Sequence, residues 1–198
     1  MNVYMYNYSG DGFGIVELAP FLGEQRYAYC SGMKAENAAL QSAYAFMLLR
    51  YALKKEYGIF DIPVFSYNEH GKPFLADCPD IYFSLSHCSK TVLCAVSEAP
   101  VGVDVQDVRK ISMRAAEKFL TETEYRNIEE LGSEEERYTE LCRLWCIKES
   151  YGKMTGKGFG EGFRSFEAQT LIERKQALCT RKNGLFLSVC TCTQTEKL

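Results

Sequence analysis

The sequence is organised around the stretch Trp145-Cys146-Ile147-Lys148-Glu149-Ser150-Tyr151-Gly152-Lys153, which lies on a long helical pattern that begins near Ser133. Trp145, Glu149 and Lys153 are spaced four residues apart, so on a helix they form one stripe along a single face. The simplest interpretation is a core tryptophan beside an exposed Glu–Lys ion pair, which is a common arrangement on helix surfaces. A further role for the stripe depends on what the rest of the chain places beside it.

The composition is that of an ordinary globular protein. Of the 198 residues, 46% are hydrophobic and 25% are charged, and the net charge is −3. Non-specific binding of nucleic acid is disfavoured, because it needs a clustered cationic surface. The sequence has neither a stretch long enough to cross a bilayer nor a signal-peptide pattern, so we expect a cytoplasmic protein without a membrane partner. The 9 cysteines match no zinc spacing and are typical of free thiols in a reducing compartment.

The first half of the chain predicts one long helix and several short strands. Gly58 is a natural stop for the helix, and Glu98-Ala99-Pro100 interrupts the last strand, which suggests a boundary between an N-terminal lobe, 1–98, and a C-terminal lobe, 99–198. The predicted elements are a strand at 3–8, a loop at 9–35, a helix at 36–57 and strands at 62–67, 81–87 and 91–97.

The second half repeats the same order of elements. Capping boxes at Thr121 and Ser133 predict two helix starts, and Lys182-Asn183-Gly184 predicts a hairpin turn. The predicted elements are a strand at 101–106, a short helix after Ser112, the two capped helices, a glycine-rich connection at 156–162, a strand at 163–168 and hairpin strands at 177–181 and 185–192. The fold class is therefore α+β, with two similar lobes, each a helical segment packed on a small, mainly antiparallel sheet.

A group of oxygen donors is predicted in the second half. Asp104 and Gln106 leave the same face of their strand, and Glu149 comes from a helix of the same half. Two carboxylates and an amide oxygen suit Mg²⁺, which takes few protein ligands and completes its shell with water and phosphate oxygens. The alternative for Asp104 is a solvent-facing residue at a strand end. Gly102, on the same strand face, would let a ligand or a backbone approach closely.

Candidate phosphate ligands lie in the first half. Ser84, Ser86 and His87 end a predicted strand, and Lys72 lies in a turn. Each has an ordinary alternative, because polar residues on an outer strand face and a lysine in a turn are usually just solvated.

Four of these segments together carry a resemblance to a known family. Val101-Gly102-Val103-Asp104 with the Trp145–Lys153 stretch resembles the paired signature of the 4′-phosphopantetheinyl transferases, most closely their Sfp-type (surfactin-synthetase-activating) branch. Gly71-Lys72-Pro73 and Phe83-Ser84-Leu85-Ser86-His87 look like the two upstream motifs of that branch, in the right order. The resemblance spans roughly residues 60 to 160.

The resemblance implies a fold, an activity and partners. Two similar α+β lobes would hold coenzyme A in the cleft between them. The reaction would move the 4′-phosphopantetheine arm of coenzyme A to a serine of an apo acyl or peptidyl carrier protein. It would depend on Mg²⁺ and release adenosine 3′,5′-bisphosphate. The nucleophile belongs to the partner, which agrees with a sequence that has no Ser/His/Asp or Cys/His arrangement. Two lobes in one chain would supply the cleft, so we expect a monomer.

The resemblance also implies roles for individual residues. Glu149 would take the proton of the incoming serine, directly or through a water, and Lys153 would stabilise developing charge. Lys148 would contact phosphate or orient Glu149. The metal ligands would be Asp104, Glu149 and Gln106, and the ligands of the coenzyme A phosphates would be Lys72, Ser86 and His87.

Two departures from the family pattern qualify this interpretation. Many relatives have Glu where this chain has Gln106, so we expect weaker metal binding, with Gln106 as a weak or water-mediated ligand. Relatives usually carry Arg or His in the helix start that here reads Glu36–Gln41, which leaves Lys34 and Arg26 as candidates for the 3′-phosphate. These departures favour an alternative, a catalytically weak module that binds coenzyme A or a carrier protein. For carrier docking, the candidate basic patch is Arg109, Lys110, Arg114 and Lys118.

Overall fold

The computed structural model describes residues 1–8, 13–158 and 161–192, and these residues form an α+β fold. The first half contains β1 (Asn2–Asn7), α1 (Ile15–Ser31), α2 (Glu36–Tyr57), β2 (Phe65–Tyr67), β3 (Pro73–Leu75), β4 (Tyr82–Cys88) and β5 (Thr91–Ser97). The second half contains β6 (Val101–Asp107), α3 (Met113–Ala116), α4 (Glu122–Glu129), α5 (Glu134–Thr155), a 3₁₀ turn (Glu161–Arg164), α6 (Ala168–Glu173), β7 (Ala177–Lys182) and β8 (Leu185–Thr191).

Each half has its own three-stranded antiparallel sheet. The first sheet has the order β1-β5-β4, and the second has the order β6-β8-β7. Helix α2 lies against the first sheet and buries Phe46, Leu49 and Leu53 in a core shared with α1. Helix α5 lies against the second sheet and buries Leu144 and Ile147 in a separate core. The α+β class and the antiparallel sheets are thus confirmed, whereas the domain boundary at 98/99 stays a prediction.

The predicted helix caps are confirmed. Ser133 and Thr121 each accept a hydrogen bond from the backbone N–H three residues later, and the glutamate at that position returns a bond, so both capping boxes are complete. Gly58 and Gly156 end α2 and α5 in the left-handed conformation, which glycine adopts without a Cβ penalty. These caps set the end of α5, and with it the helical positions of Glu149 and Lys153.

The predicted loop at 9–35 is wrong over most of its length. Residues 15–31 form α1, which buries Leu18, Leu22 and Cys30 against α2. Pro20 and Gly23 look like loop punctuation, but both lie within α1, and Gly23 interrupts the helix locally with φ of 71°. Residues 9–12 of the predicted loop lie outside the described part of the chain.

The predicted strand at 163–168 is also wrong. A 3₁₀ turn occupies Glu161–Arg164, and α6 begins at Ala168. Phe163 and Phe166 are three residues apart, a spacing of helical turns rather than of strands, and both rings pack into the second core. The neighbouring glycine-rich connection is described except for residues 159 and 160. Within the described residues, the structure contains no helix long and apolar enough to cross a membrane.

Candidate active site

Strand β6 carries Asp104, and Gly102 allows this strand to pack directly on α5. A Cβ atom at position 102 would lie 1.9 Å from the carbonyl oxygen of Ser150 and 2.4 Å from the backbone nitrogen of Met154. Only glycine permits so close an approach. The expected close approach at Gly102 is therefore confirmed, and the atoms that approach belong to the α5 backbone. This packing brings Asp104 within reach of Lys153.

The carboxylate of Asp104 is buried and held by three side chains. Lys153 Nζ lies 2.6 Å from Oδ1 in an ion pair, and Ser86 Oγ donates to the same oxygen at 2.7 Å. Gln106 Nε2 donates to Oδ2 at 3.0 Å. Asp104 is only 1% exposed, so these donors replace the hydration that burial removes. The alternative of a solvent-facing strand-end acid is wrong.

Lys153 forms its ion pair with the strand rather than with its own helix. In the described part of the chain its partner is Asp104, and Lys153 Nζ also donates to Ser86 Oγ at 3.0 Å. The simplest interpretation of the sequence, an exposed Glu149–Lys153 pair, is therefore wrong. Lys153 joins α5 to both β6 and β4 and keeps 29% of its side chain open to solvent.

Glu149 lies one turn before Lys153 and lines a cavity. Burial raises the pKa of the Glu149 carboxyl above its ordinary value, the nearby Lys153 cation opposes this shift, and the Asp104 carboxylate adds to it. Glu149 and Lys153 line the same cavity, which places Glu149 beside the Asp104–Lys153 pair. A carboxylate with a raised pKa is a better proton acceptor near neutral pH than an ordinary one.

Two predicted phosphate ligands leave β4 near this pair. Ser86 is 5% exposed, and its hydroxyl bonds both Asp104 and Lys153, so in this structure it positions the ion pair. His87 is exposed. Partial desolvation lowers the pKa of His87, and the Lys153 cation lowers it further. The Asp104 carboxylate raises this pKa, and the Arg26 cation makes a smaller contribution that lowers it. His87 therefore lies within electrostatic reach of the ion pair and close to the surface, where an anion can approach.

Lys153 and Glu149 line a cavity of about 260 Å³ between the two halves. A second cavity, of about 320 Å³, lies beside it, and both are lined by Lys72, Pro73, Phe83 and Gly156. Lys72 Nζ donates to the Met154 carbonyl oxygen at 3.0 Å, and burial lowers the pKa of its ammonium group. The β2–β3 hairpin, which carries Lys72, is thereby fastened to the C-terminus of α5 and forms one wall of the cleft.

Lys148 is not brought to this cleft. It is 0% exposed and lies 2.7 Å from Glu124 Oε2, and its Nζ donates to the carbonyl oxygens of Phe163 and Phe166, each at 2.7 Å. Burial lowers the pKa of the Lys148 ammonium, and Glu124 opposes that shift. These three partners account for its three N–H groups in this structure. The contact of Lys148 with phosphate stays a prediction. An orienting role toward Glu149 stays a prediction.

The candidate ligands of the 3′-phosphate, Arg26 and Lys34, have no contact with Asp104 or Glu149. Arg26 Nη2 donates to the Ser42 carbonyl oxygen at 3.1 Å, and its guanidinium carbon lies 4.7 Å from the centre of the Tyr29 ring and 5.5 Å from that of Phe46. Lys34 is exposed in the turn between α1 and α2. Arg26 thus joins α1 to α2, and the structure gives neither residue a contact with Asp104 or Glu149.

Two residues make contacts that the sequence analysis did not predict. Glu124 was assigned only to a capping box, but it also accepts from Ala168 N at 2.8 Å and pairs with Lys148. Ser84 accepts from Val103 N at 3.0 Å. Ser84 was predicted as a phosphate ligand from its place at the strand end, and its bond to the β6 backbone was not predicted, whereas nothing local distinguishes Glu124 from an ordinary capping glutamate.

The donor set suits a hard cation with few protein ligands. Gln106 is hydrogen-bonded to the Asp104 carboxylate, and Glu149 lines the same cavity as Lys153, the ion-pair partner of Asp104. Among the described residues there is no group of three or more His, Cys, Asp or Glu side chains arranged to hold a metal ion. Two carboxylates and an amide are a smaller set, and they fit Mg²⁺, which keeps several water or phosphate oxygens in its shell.

Comparison with known proteins identifies the family of this chain. The model of the 4′-phosphopantetheinyl transferase superfamily matches residues 100–196, which include Asp104, Glu149 and Lys153. The 4′-phosphopantetheinyl transferase Sfp of Bacillus subtilis (strain 168) is 29% identical over 151 residues, which are 75% of this chain and 66% of that protein. The 4′-phosphopantetheinyl transferase psf-1 of Bacillus pumilus is 32% identical over 165 residues, 82% of this chain and 70% of that protein.

The fold, the site and these matches together define a class of protein. This chain belongs to the 4′-phosphopantetheinyl transferase superfamily. Its similarity is to the Sfp-type members, among them also the 4′-phosphopantetheinyl transferase gsp of Aneurinibacillus migulanus, which is 30% identical over 161 residues, 77% of this chain and 65% of that protein. The chain thus spans about two thirds of the length of these relatives.

Proposed function

We propose that this protein transfers the 4′-phosphopantetheine arm of coenzyme A to a serine of an apo acyl or peptidyl carrier protein. The observation that carries the proposal is the cluster of Asp104, Glu149 and Lys153 beside a cavity between the two halves. The names of the relatives support the reaction class. We further propose that the protein acts as a monomer in the cytoplasm.

The residues of the cluster divide the chemistry between them. The serine oxygen of the carrier forms a bond to the phosphorus next to the pantetheine arm, and the bond from that phosphorus to the bridging oxygen breaks. Adenosine 3′,5′-bisphosphate leaves with the bridging oxygen and the electron pair of the broken bond. Glu149, with its raised pKa, accepts the serine proton, directly or through a water. Lys153, which keeps 29% of its side chain exposed, lies where it can offset charge that develops on the phosphates.

The walls of the cleft suit the phosphates of coenzyme A. His87 lies near the surface beside Lys153, and Lys72 lines both cavities. Lys72 uses one N–H group for the Met154 carbonyl, so two remain for a phosphate. Ser86 contributes indirectly, because its hydroxyl holds Asp104 and Lys153. These contacts support a bound coenzyme A between the β2–β3 hairpin and α5.

Asp104 and Glu149 would hold Mg²⁺, with Gln106 as a weak or water-mediated ligand. When bound, the ion neutralises charge on the pyrophosphate and on the leaving phosphate. Gln106 supports the arrangement in another way, since its amide donates to Asp104 Oδ2 and fixes that carboxylate without adding a third negative charge.

A basic surface beside β6 would receive the carrier. Arg109, Arg114 and Lys118 are exposed on the segment that follows β6, while Lys110 is paired with Glu134 at 3.0 Å. Carrier proteins are usually acidic, and this chain has a net charge of −3, so a local positive patch is needed to steer the two together.

Incubation with coenzyme A, Mg²⁺ and an apo carrier, followed by mass spectrometry of the carrier, tests the proposed reaction. One fatty-acid acyl carrier and one peptidyl carrier are used, because the carrier class is open. We expect a mass gain of one phosphopantetheine arm, its loss in Glu149→Gln, and its retention in Glu135→Gln, an exposed glutamate in the first turn of the same helix. Binding of coenzyme A without transfer to either carrier would instead support the alternative of a catalytically weak binding module.

A further inference from the structure

The two sheets meet edge to edge between the halves. Strand β4 ends the first sheet, strand β6 ends the second, and the two strands lie side by side. Their contacts advance together along both strands, from Ser84 with Val103 to Ser86 with Val105, so they run parallel. Two sheet edges that meet in this way would ordinarily be joined by backbone hydrogen bonds.

Here serine hydroxyls join the edges instead. Val103 N donates to Ser84 Oγ at 3.0 Å, and Val105 N donates to Ser86 Oγ at 3.2 Å. Both serines are 5% exposed, so water does not compete for these bonds. Immediately beyond the strands, Ser89 N and Ser89 Oγ each donate to the Asp107 carboxylate at 2.9 Å. We call the Ser84–Val103 and Ser86–Val105 bonds the serine seam.

The two bonds of the serine seam flank Asp104 along β6. The two backbone N–H groups that it uses belong to the residues on either side of Asp104, and the opposite edge of β6 pairs Asp104 with Ser188 of β8. The position of the Asp104 carboxylate relative to Lys153 therefore depends on both edges of β6. A loss on one edge would let the strand shift toward the other, and displacements of about 1 Å in a catalytic arrangement can reduce rates roughly 100-fold.

We propose that Ser84 is a positioning residue that holds Asp104 in register with Lys153 and Glu149. The inference rests on the proposed transferase function for its kinetic consequence, but its structural part does not. Ser84 is the more informative half of the seam because its hydroxyl bonds the β6 backbone alone, whereas Ser86 also touches Asp104 and Lys153 directly. Removing the Ser84 hydroxyl leaves Val103 N–H buried without an acceptor, which favours a shift of the strand.

A matched pair of variants separates positioning from stability. Ser84→Ala removes a buried hydroxyl that accepts one backbone N–H, and Ser97→Ala removes another of the same kind, since Ser97 is 6% exposed and accepts from Ala99 N at 3.2 Å. Ser97 lies at the end of β5, away from the seam. Ser84→Thr keeps the hydroxyl, and Ser84→Cys keeps the size with a weaker acceptor.

Four measurements are made on all of these variants. The first is thermal unfolding. The second is hydrogen exchange of the Val103 and Val105 amides by NMR, and the third is Mn²⁺ binding followed by electron paramagnetic resonance. The fourth is kcat for carrier modification at saturating coenzyme A, carrier and Mg²⁺. Ser84→Ala and Ser97→Ala should unfold at similarly lowered temperatures, because each loses one buried hydrogen bond.

The proposal expects the two alanine variants to differ beyond stability. Ser84→Ala should speed exchange at Val103, weaken Mn²⁺ binding and lower kcat about tenfold. Ser84→Cys should have a kcat between those of Ser84→Ala and the wild type, and Ser84→Thr should recover the wild-type kcat. Ser97→Ala should keep the wild-type kcat. Equal kcat in both alanine variants, or a Val103 amide that exchanges as fast as an exposed one in the wild type, would overturn it. If Ser84→Ala does not fold, the kcat of Ser84→Cys and the exchange rate of the Val103 amide in the wild type decide whether Ser84 has the positioning role. A wild type without transfer would refute the proposed function, and the exchange and Mn²⁺ measurements would still decide the positioning role.

Discussion

Gly102 on β6 lies directly against the Ser150 carbonyl on α5, so close that a Cβ atom at position 102 would be 1.9 Å from that oxygen. This contact sets the distance between the strand that carries Asp104 and the helix that carries Glu149 and Lys153. The ion pair of 2.6 Å between Asp104 and Lys153 depends on that distance. A packing contact between two backbones thus underlies the geometry of the site.

Replacing Gly102 should therefore disrupt both fold and activity. In Gly102→Ala the new methyl group meets backbone atoms of Ser150 and Met154, which cannot rotate away. We expect a loss of about 3 kcal/mol or more in the free energy of unfolding, measured by urea denaturation, and loss of carrier modification. Gly162→Ala is the control, because a Cβ there has no neighbour within 4 Å. A Gly102→Ala protein as stable as Gly162→Ala would contradict the argument.

The buried pair of Lys148 and Glu124 should be a stabilising contact of the second half. Lys148→Met leaves the Glu124 carboxylate buried without its cation, and we expect a loss of about 3–5 kcal/mol in the free energy of unfolding. The double variant Lys148→Met/Glu124→Gln removes both charges and should be more stable than Lys148→Met alone. Urea denaturation of the single and double variants gives the coupling energy. Additive losses would show that the pair is not coupled.

Local features of the fold could be predicted from the sequence. The alternation of Val101, Val103 and Val105 predicts β6 correctly, because a strand with one apolar face needs only its own residues to be recognised. The capping boxes at Thr121 and Ser133 are equally local. Helix α1 was missed for the opposite reason: it has Pro20 and Gly23 within it, and it is stable because Leu18 and Leu22 pack on α2, a contact that only the tertiary structure reveals.

The composition of the candidate site could be predicted better than its contacts. Asp104, Glu149 and Lys153 were selected from spacing and resemblance, and the structure brings them together. That Lys153 pairs with Asp104 rather than Glu149 depends on the contact of β6 with α5. That Lys148 turns toward Glu124 depends on a residue 24 positions earlier in the chain. Neighbouring side chains on one helix have different surroundings, and the sequence of that helix does not specify what those surroundings are.

Gln106 should determine how much Mg²⁺ the proposed reaction needs. In Gln106→Glu the donor to Asp104 Oδ2 is replaced by a third carboxylate, so the metal-free protein should unfold at a lower temperature because like charges are held together. Added Mg²⁺ should stabilise the variant more than the wild type, and half-maximal activity should need several-fold less Mg²⁺. Thermal unfolding with EDTA and with Mg²⁺, alongside a Mg²⁺ titration of activity, measures both effects. An unchanged Mg²⁺ dependence would remove Gln106 from the proposed ligands.

Arg114 and Lys118 should govern carrier affinity without affecting coenzyme A. Both are exposed on the segment that follows β6, so reversing their charge places repulsion where an acidic carrier would dock. We expect Arg114→Glu/Lys118→Glu to raise KM for the carrier about tenfold, more strongly at low salt, with KM for coenzyme A within about twofold of the wild type. Lys54→Glu/Lys55→Glu, exposed on the last turn of α2, changes the net charge equally and is the control. A rise in KM confined to coenzyme A, or an equal rise in both double variants, would show that the carrier docks elsewhere.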